Sequence, residues 1–453
     1  MAGNLRSRLS AIRRSQAADK RAAETADPAK TSGKPESGKG WPSAPASLSG
    51  VFSAWEKAGD GVLRRRLSLP LARPVPAALP WTLPVVLPDL AGAGLSPERI
   101  LFFDLETTGL SGGAGTVAFL AAFGTFGEPE RGEHAVPEHT ALRTLRVLRI
   151  DQFLLLDYSG ELAFLDAVLL FINDSLFPAR YLTTYNGKSF DSQILKTRCL
   201  MNGFHPPKLP QLDLLYPSRR MWKRILPNCS QATVETMALG LDRTGDIPGS
   251  LAPDIWFDFL KSGGSEAAAR RLLGICDHNV KDIEGLAALF AVFCGIAERP
   301  LDASAAFRCD TERLAMIWRR QQRLPPLFQD TDAPGEGLEE TSSLLLEAAA
   351  RHYPRSCLRL GFDLFRKGRF EEGRAALARI ADGNGSWRVP CGPVVTALAL
   401  RSLAIDAARR LGSAGQAAAF LEKALLLDRR EEGGLPRGLR EDLERRLAAL
   451  RPC

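Results

Sequence analysis

The chain has 453 residues, 45% hydrophobic and 25% charged, enough to bury a sizeable core and to divide into two or three domains. No stretch reaches the roughly 18 uncharged apolar residues of a membrane helix: Asp157, Glu161 and Asp166 interrupt 153–172, and prolines interrupt 67–90. The N-terminus has arginines without the apolar core of a secretory signal, so the reading is a soluble, cytoplasmic protein with no membrane association. Net charge is +7, yet residues 1–66 hold 13 Lys and Arg against 6 Asp and Glu. The remainder balances at 46 of each sign, which excludes a generally basic, nucleic-acid-coating surface.

The eight cysteines are dispersed singly, without C-x-x-C pairs or cysteine–histidine clusters. That spacing points to reduced thiols and away from structural zinc or a disulfide framework.

Residues 1–50 are rich in Ala, Ser, Gly, Pro, Lys and Arg and lack any sustained period, the pattern of a disordered basic tail. Residues 51–98 read as a short helix over 51–67 followed by a proline-punctuated linker. From Arg99 the texture changes. Short apolar runs at 100–103, 116–126, 142–156 and 181–185 predict strands, and 160–173, 189–202, 230–239 and 266–296 carry helical spacing. Gly203 and Gly240 are the expected helix stops.

The alternation predicts an α/β domain over 99–297. Residues 298–340 read as a bridging helix (311–323) and a loop containing Pro325, Pro326 and Pro334. Residues 341–453 read as all-α helical hairpins. The segment 364–373 can be laid over 408–417 at an offset of 44 residues, with 383–393 as an insertion relative to a tetratricopeptide-like period.

Asp104 and Glu106 stand two apart at the end of the first strand, which points both to one face of the sheet. Asp191 opens a helix that follows another strand, and Asp282 lies in a long helix one turn after His278. Each pair alone is ordinary surface chemistry. Their shared position at element ends of one α/β unit is not, and carboxylate oxygens without thiols suit Mg²⁺ or Mn²⁺ rather than zinc. Two such ions about 4 Å apart clamp the attacking and leaving oxygens of a phosphodiester. The cluster 219–224, with four basic residues around Trp222, reads either as a solvated basic helix face or as phosphate contacts with a base stacked on the ring.

The segments Phe102-Phe103-Asp104-Leu105-Glu106-Thr107-Thr108-Gly109-Leu110, Tyr185-Asn186-Gly187-Lys188-Ser189-Phe190-Asp191 and His278-Asn279-Val280-Lys281-Asp282 resemble the three motifs of the DEDD exonuclease superfamily. Within it the chain is similar to the bacterial YprB-like ribonuclease-H-like proteins, through Asn228-Cys229-Ser230, Val234-Glu235 and Asp246-Ile247-Pro248-Gly249. The resemblance covers about 200 residues and implies a ribonuclease-H-like mixed sheet flanked by helices. It implies that Asp104, Glu106, Asp191 and Asp282 hold two divalent ions and that His278 is the general base. Thr107, Thr108, Leu110 and Asn186 would contact the terminal nucleotide. His278 departs from the family in standing four residues before the last aspartate, where histidine-type members use five and tyrosine-type members four. The implied activity is a 3′–5′ exonuclease on single-stranded DNA or RNA ends. The alternatives are an endonuclease on the same fold, and a non-catalytic nucleic-acid-binding scaffold whose C-terminal helices recruit a protein partner.

Overall fold

The computed structural model describes residues 50–90, 96–109, 115–127, 144–174, 181–321, 336–428 and 434–450. The tail expected before residue 50, Leu110, and the loop with Pro325, Pro326 and Pro334 lie outside them.

The chain enters the sheet earlier than expected. Strands β1 (Glu56–Gly59) and β2 (Val62–Pro76) pair antiparallel, and β2 continues along a third strand for most of its length. The helix expected over 51–67 and the linker after it are therefore corrected to a β-hairpin. The reason is legible in retrospect: Leu67, Leu69 and Leu71 alternate with polar or small residues, and all three pack on the core. Pro70, Pro74 and Pro76 are tolerated because β1 covers β2 only at Val62–Arg64, so along the rest of that edge β1 presents no carbonyl that would need a proline N–H. A short buried turn of helix, α1 (Leu83–Val86), follows.

Strands β3 (Ile100–Thr107), β4 (Ala118–Gly127) and β5 (Thr144–Leu155) form the antiparallel centre of the sheet. Helix α2 (Glu161–Asn173) leads to β6 (Tyr181–Thr184), α3 (Asp191–Met201) and β7 (Gln211–Asp213), with β6 parallel to β3 and β7 parallel to β6. The seven strands run in the order β1-β2-β5-β4-β3-β6-β7, the mixed ribonuclease-H-like sheet that the motifs implied. Residues of β4 are buried throughout, and in β3 only Asp104 is less than fully buried.

Helix α4 (Leu215–Trp222) and a one-turn helix α5 (Gln231–Val234) come next; α5 widens into a π-helical turn over Glu235–Leu239, closed by Gly240 at φ 69°. Then follow α6 (Ala252–Lys261) and α7 (Glu266–Glu298). Helix α7 is capped by the Ser265 hydroxyl on the Ala268 amide, spans 33 residues and lies across β2, β3, β4 and β5. Gly124 on β4 allows that approach, since a Cβ there would stand 2.4 Å from Cγ2 of Ile283 on α7. Phe102, Phe126 and Phe290 close the contact, with ring centroids 5.1–6.1 Å apart.

The remaining elements are helices: α8 (Pro300–Ala306), α9 (Thr311–Gln321), α10 (Glu336–Ala350), α11 (Pro354–Arg366), α12 (Phe370–Ala381), α13 (Pro393–Arg409), α14 (Ala414–Asp428) and α15 (Arg437–Leu450). The α11–α12 and α13–α14 turns each carry a left-handed glycine, Gly368 at φ 75° and Gly412 at φ 63°, the two glycines that the sequence overlay brings into register. Helices α11 and α12 approach closely at Gly361, where a Cβ would meet the Leu377 side chain at 2.6 Å. Among the described residues no helix is long and apolar enough to cross a membrane.

The close approach of α7 to β4 is testable. Gly124→Ala should cost about 1–3 kcal/mol by overpacking. In a denaturant-melt cycle the double variant Gly124→Ala/Ile283→Ala should cost less than the sum of the two single changes, because alanine at 283 removes the clashing methyl. Simple additivity would show that the contact is not what glycine at 124 serves.

Candidate active site

The site forms where α7 crosses the end of β3. Period two on β3 puts Asp104 and Glu106 on the face that α7 covers, and α7 brings His278, Asn279 and Asp282 to them. Nε2 of His278 lies 4.0 Å from Oε1 of Glu106 and 3.3 Å from Oδ2 of Asp282, and ligand atoms of these three residues all fall within 4.8 Å of one another. Asp191, the first residue of α3, is 6% exposed and joins them electrostatically from the β6 side.

Asp104 is held by a chain of buried side chains reaching across the sheet. Arg65 on β2 donates to Oε1 of Gln152 on β5 at 2.7 and 3.0 Å. The Gln152 amide donates to Oδ1 of Asn279 at 2.9 Å, and the Asn279 amide donates to Oδ2 of Asp104 at 2.7 Å. Gln152 and Asn279 are wholly buried, and the Gln152 amide also donates to the Cys276 carbonyl at 2.8 Å, so the inner part of this relay is satisfied by protein acceptors.

Asp191 is positioned by backbone. Asn186 adopts φ 64°, and Gly187 follows it because a Cβ would fall 2.5 Å from the Thr184 side chain. The carboxylate of Asp213, at the end of β7, accepts from the amides of Asn186, Lys188 and Leu215 at 2.8, 3.2 and 3.0 Å. This buried acid fixes the loop that opens α3.

A second tier surrounds His278 and Asp282. Asp246 accepts from Nδ1 of His278 at 2.9 Å, and Gly249 leaves room for the ring, since a Cβ there would stand 2.9 Å from Nε2. Arg243 reaches Glu235, Asp246 and Asp282 at 2.7, 2.8 and 2.5 Å. Gln231 bridges Glu235 and the Asp282 carbonyl, both at 2.8 Å. Glu235 fits only because residue 285 is glycine, where a Cβ would overlap its carboxylate.

The other residues expected to touch substrate are placed as follows. The Thr107 hydroxyl donates to the Gly109 carbonyl at 2.9 Å. Thr108 ties the end of β3 to Val117 through its amide and its hydroxyl, both at 2.9 Å. Leu110 lies outside the described residues. The stacking role considered for Trp222 is overturned: the ring is fully buried and its indole N–H donates to the Phe307 carbonyl. Sequence reasoning missed Arg65, Gln152, Asp213 and Arg243.

Burial pushes Asp104 and Glu106 well above the usual carboxylate range, and the charges of Asp282 and Asp191 push the same way. Burial also raises Asp191, to about 7, with Asp213 and Asp282 adding to it. Burial pushes Asp246 upward too, but Arg243 and His278 outweigh it and hold that carboxyl below its ordinary value. Mutually repelling oxygen ligands, with those of Glu106 and Asp282 within 4.8 Å of one another and of His278, fit a hard divalent cation, which would relieve the repulsion.

Residues 101–294 match the RNase_H superfamily family profile. Over 230 residues the chain is 33% identical to the protein YprB of Bacillus subtilis (strain 168), an alignment covering 50% of this chain and 49% of that protein. The chain thus spans about half the length of the curated relative it matches. The matched segment contains Asp104, Glu106, Asp191, His278 and Asp282.

The raised carboxyls set a sign for pH dependence without cations. The native state holds extra protons between the unfolded carboxylate range, about 4, and the native value, about 7 for Asp191. Stability therefore falls as pH rises through that window, while Asp246 titrates below it. In EDTA the melting midpoint should drop from pH 5 to pH 8. Added Mn²⁺ or Mg²⁺ should restore it at pH 8 and change little at pH 5. A midpoint indifferent to the cation at pH 8 would count against a metal centre.

Proposed function

We propose that this chain is a metal-dependent nuclease that shortens single-stranded DNA or RNA from the 3′ end, with Asp104, Glu106, Asp191 and Asp282 holding two Mg²⁺ or Mn²⁺ ions. The observation that carries the reading is charge. On top of burial, the charges of Asp282 and Asp191 raise Asp104 and Glu106, and Arg243, which reaches only Asp282 among these four carboxylates, is shared with Glu235 and Asp246. Bound there, two divalent ions would offset the substrate's charge and activate the attacking water.

The protein's own groups would then do the proton work. The Asp246 carboxylate keeps a proton on Nδ1 of His278, which leaves Nε2 as the acceptor facing Glu106 and Asp282. Nε2 takes the proton of the attacking water, and Asp246 stabilises the imidazolium that results. The spacing of four before Asp282 is compatible with this, because one helical turn sets the imidazole over the carboxylate. Asn186 and the 107–110 segment contact the terminal nucleotide, a role supported by the rigid Asp213-bound loop that carries Asn186. The catalytic unit is assigned to 99–297 together with the β1–β2 hairpin that completes its sheet, 298–340 is a bridge, and 341–453 is read as tetratricopeptide-like and partner-binding. The matching turns at Gly368 and Gly412 support that reading of the helices.

Purified protein with Mn²⁺ should shorten a 5′-labelled single strand stepwise, and Asp104→Ala should reduce this to background. Equal behaviour of the two proteins would sink the enzymatic reading. A covalently closed single-stranded circle should survive; cutting it would make the enzyme an endonuclease. His278→Ala should lower kcat by about 10²–10⁴-fold. Asp246→Asn should lower it by about 10–100-fold at unchanged KM, the size of effect seen when an orienting partner is removed.

A further inference from the structure

The body of the chain is charge-balanced, yet arginines gather where α4 and its following loop meet α8–α11. Arg224, in that loop, lines two cavities, one on each side. A cavity of about 440 Å³ takes Arg313 and Arg320 from α9 and Arg355 from α11. A cavity of about 620 Å³ takes Arg308 and Arg351.

Arg224 itself is spoken for. It holds Asp310 at 2.5 and 2.7 Å and Glu312 at 2.8 Å, and so pins α9 to the catalytic layer. Arg319, which also lines the smaller cavity, is held by Asp363; Arg308, Arg313, Arg320, Arg351 and Arg355 are exposed, and among the described residues none of these five is paired with a carboxylate. Glu312 is the one acid lining the smaller cavity, already held by Arg224, and no acid lines the larger. Five unpaired guanidinium groups around two adjoining hollows repel one another unless an anion lies between them. Tyr353 is buried beneath Arg224, so the ring open to these hollows is the imidazole of His352, which lines the larger one.

We propose that this seam is a second binding site, which holds the phosphodiester backbone of a single nucleic-acid strand without reading its bases. Planar guanidinium forks suit phosphate oxygens, and with five arginines against one exposed ring, charge is the main recognition element. Charge complementarity supports a strand as the occupant, since five exposed guanidinium groups line the two hollows. The inference rests on the nuclease reading for the identity of the polyanion, and not for the existence of the site.

The test is binding rather than cleavage. Fluorescence anisotropy of a labelled single strand on the full chain in EDTA should show a log K against log salt slope that falls by about 2 in Arg313→Gln/Arg320→Gln/Arg351→Gln, at roughly 0.7 for each phosphate no longer neutralised. Affinity at low salt should fall at least about tenfold. The triple lysine variant should retain most of the affinity, which separates charge from misfolding. Hydrolysis of a p-nitrophenyl nucleotide ester with Mn²⁺ should be unchanged in the triple glutamine variant, because such a substrate is too short to reach the seam. If the glutamine variant binds with wild-type affinity and slope, the seam is not the site. If polyglutamate displaces the strand as well as unlabelled oligonucleotide does, the seam takes acidic polypeptides and the proposal falls. Absence of ester hydrolysis in the wild type, with binding intact, would overturn the catalytic reading and leave the seam standing.

Discussion

The contact between α7 and the centre of the sheet sets nearly everything else. One helix supplies three of the residues at the site, and its height above β3 decides whether they meet Asp104 and Glu106. Apolar packing brings the two together through Ile283, Phe290 and the space left by Gly124, but packing alone tolerates sliding. The buried relay from Arg65 through Gln152 and Asn279 to Asp104 removes that freedom, because a shifted helix would strand several donors without water. Specificity of register thus rests on polar groups, and stability on the apolar surface around them.

The same division of labour holds around His278. Arg243 neutralises part of an acidic cluster that would otherwise expand, and it does so while touching Glu235, Asp246 and Asp282 at once. Glycines at 249 and 285 let the ring and Glu235 approach closely enough for this to work. The centre is therefore electrostatically disposed toward cations and braced by an arginine at Asp282.

Much of this was legible in residue order, and what was missed has physical causes. Long periodic helices, buried apolar strands and the Gly203 and Gly240 stops were readable because period and punctuation are local signals. The β1–β2 hairpin was not, since Arg64, Arg65 and Arg66 interrupt the alternation; their partners, Asp151 and Gln152, lie 85 or more positions away. Strand β7 is three residues long, too short to show a period. The carboxylates at 104, 106, 191 and 282 stood out by spacing and resemblance. Asp213 and Arg243 did not, because what distinguishes them is three backbone amides or three carboxylates gathered by the fold. Trp222 misled, for a ring among basic residues looks exposed until its burial is known.

Arg65 comes from a hairpin that precedes the segment matching the superfamily, which begins at residue 101. The ribonuclease-H-like layer is consequently not portable at its recognisable boundary. A fragment beginning at β3 would retain every acid and the histidine, yet leave the Gln152 carbonyl buried without a donor and β5 with an open edge. Any transplantation, permutation or truncation of this unit has to carry residues 56–76 with it, although nothing in those residues resembles a nuclease.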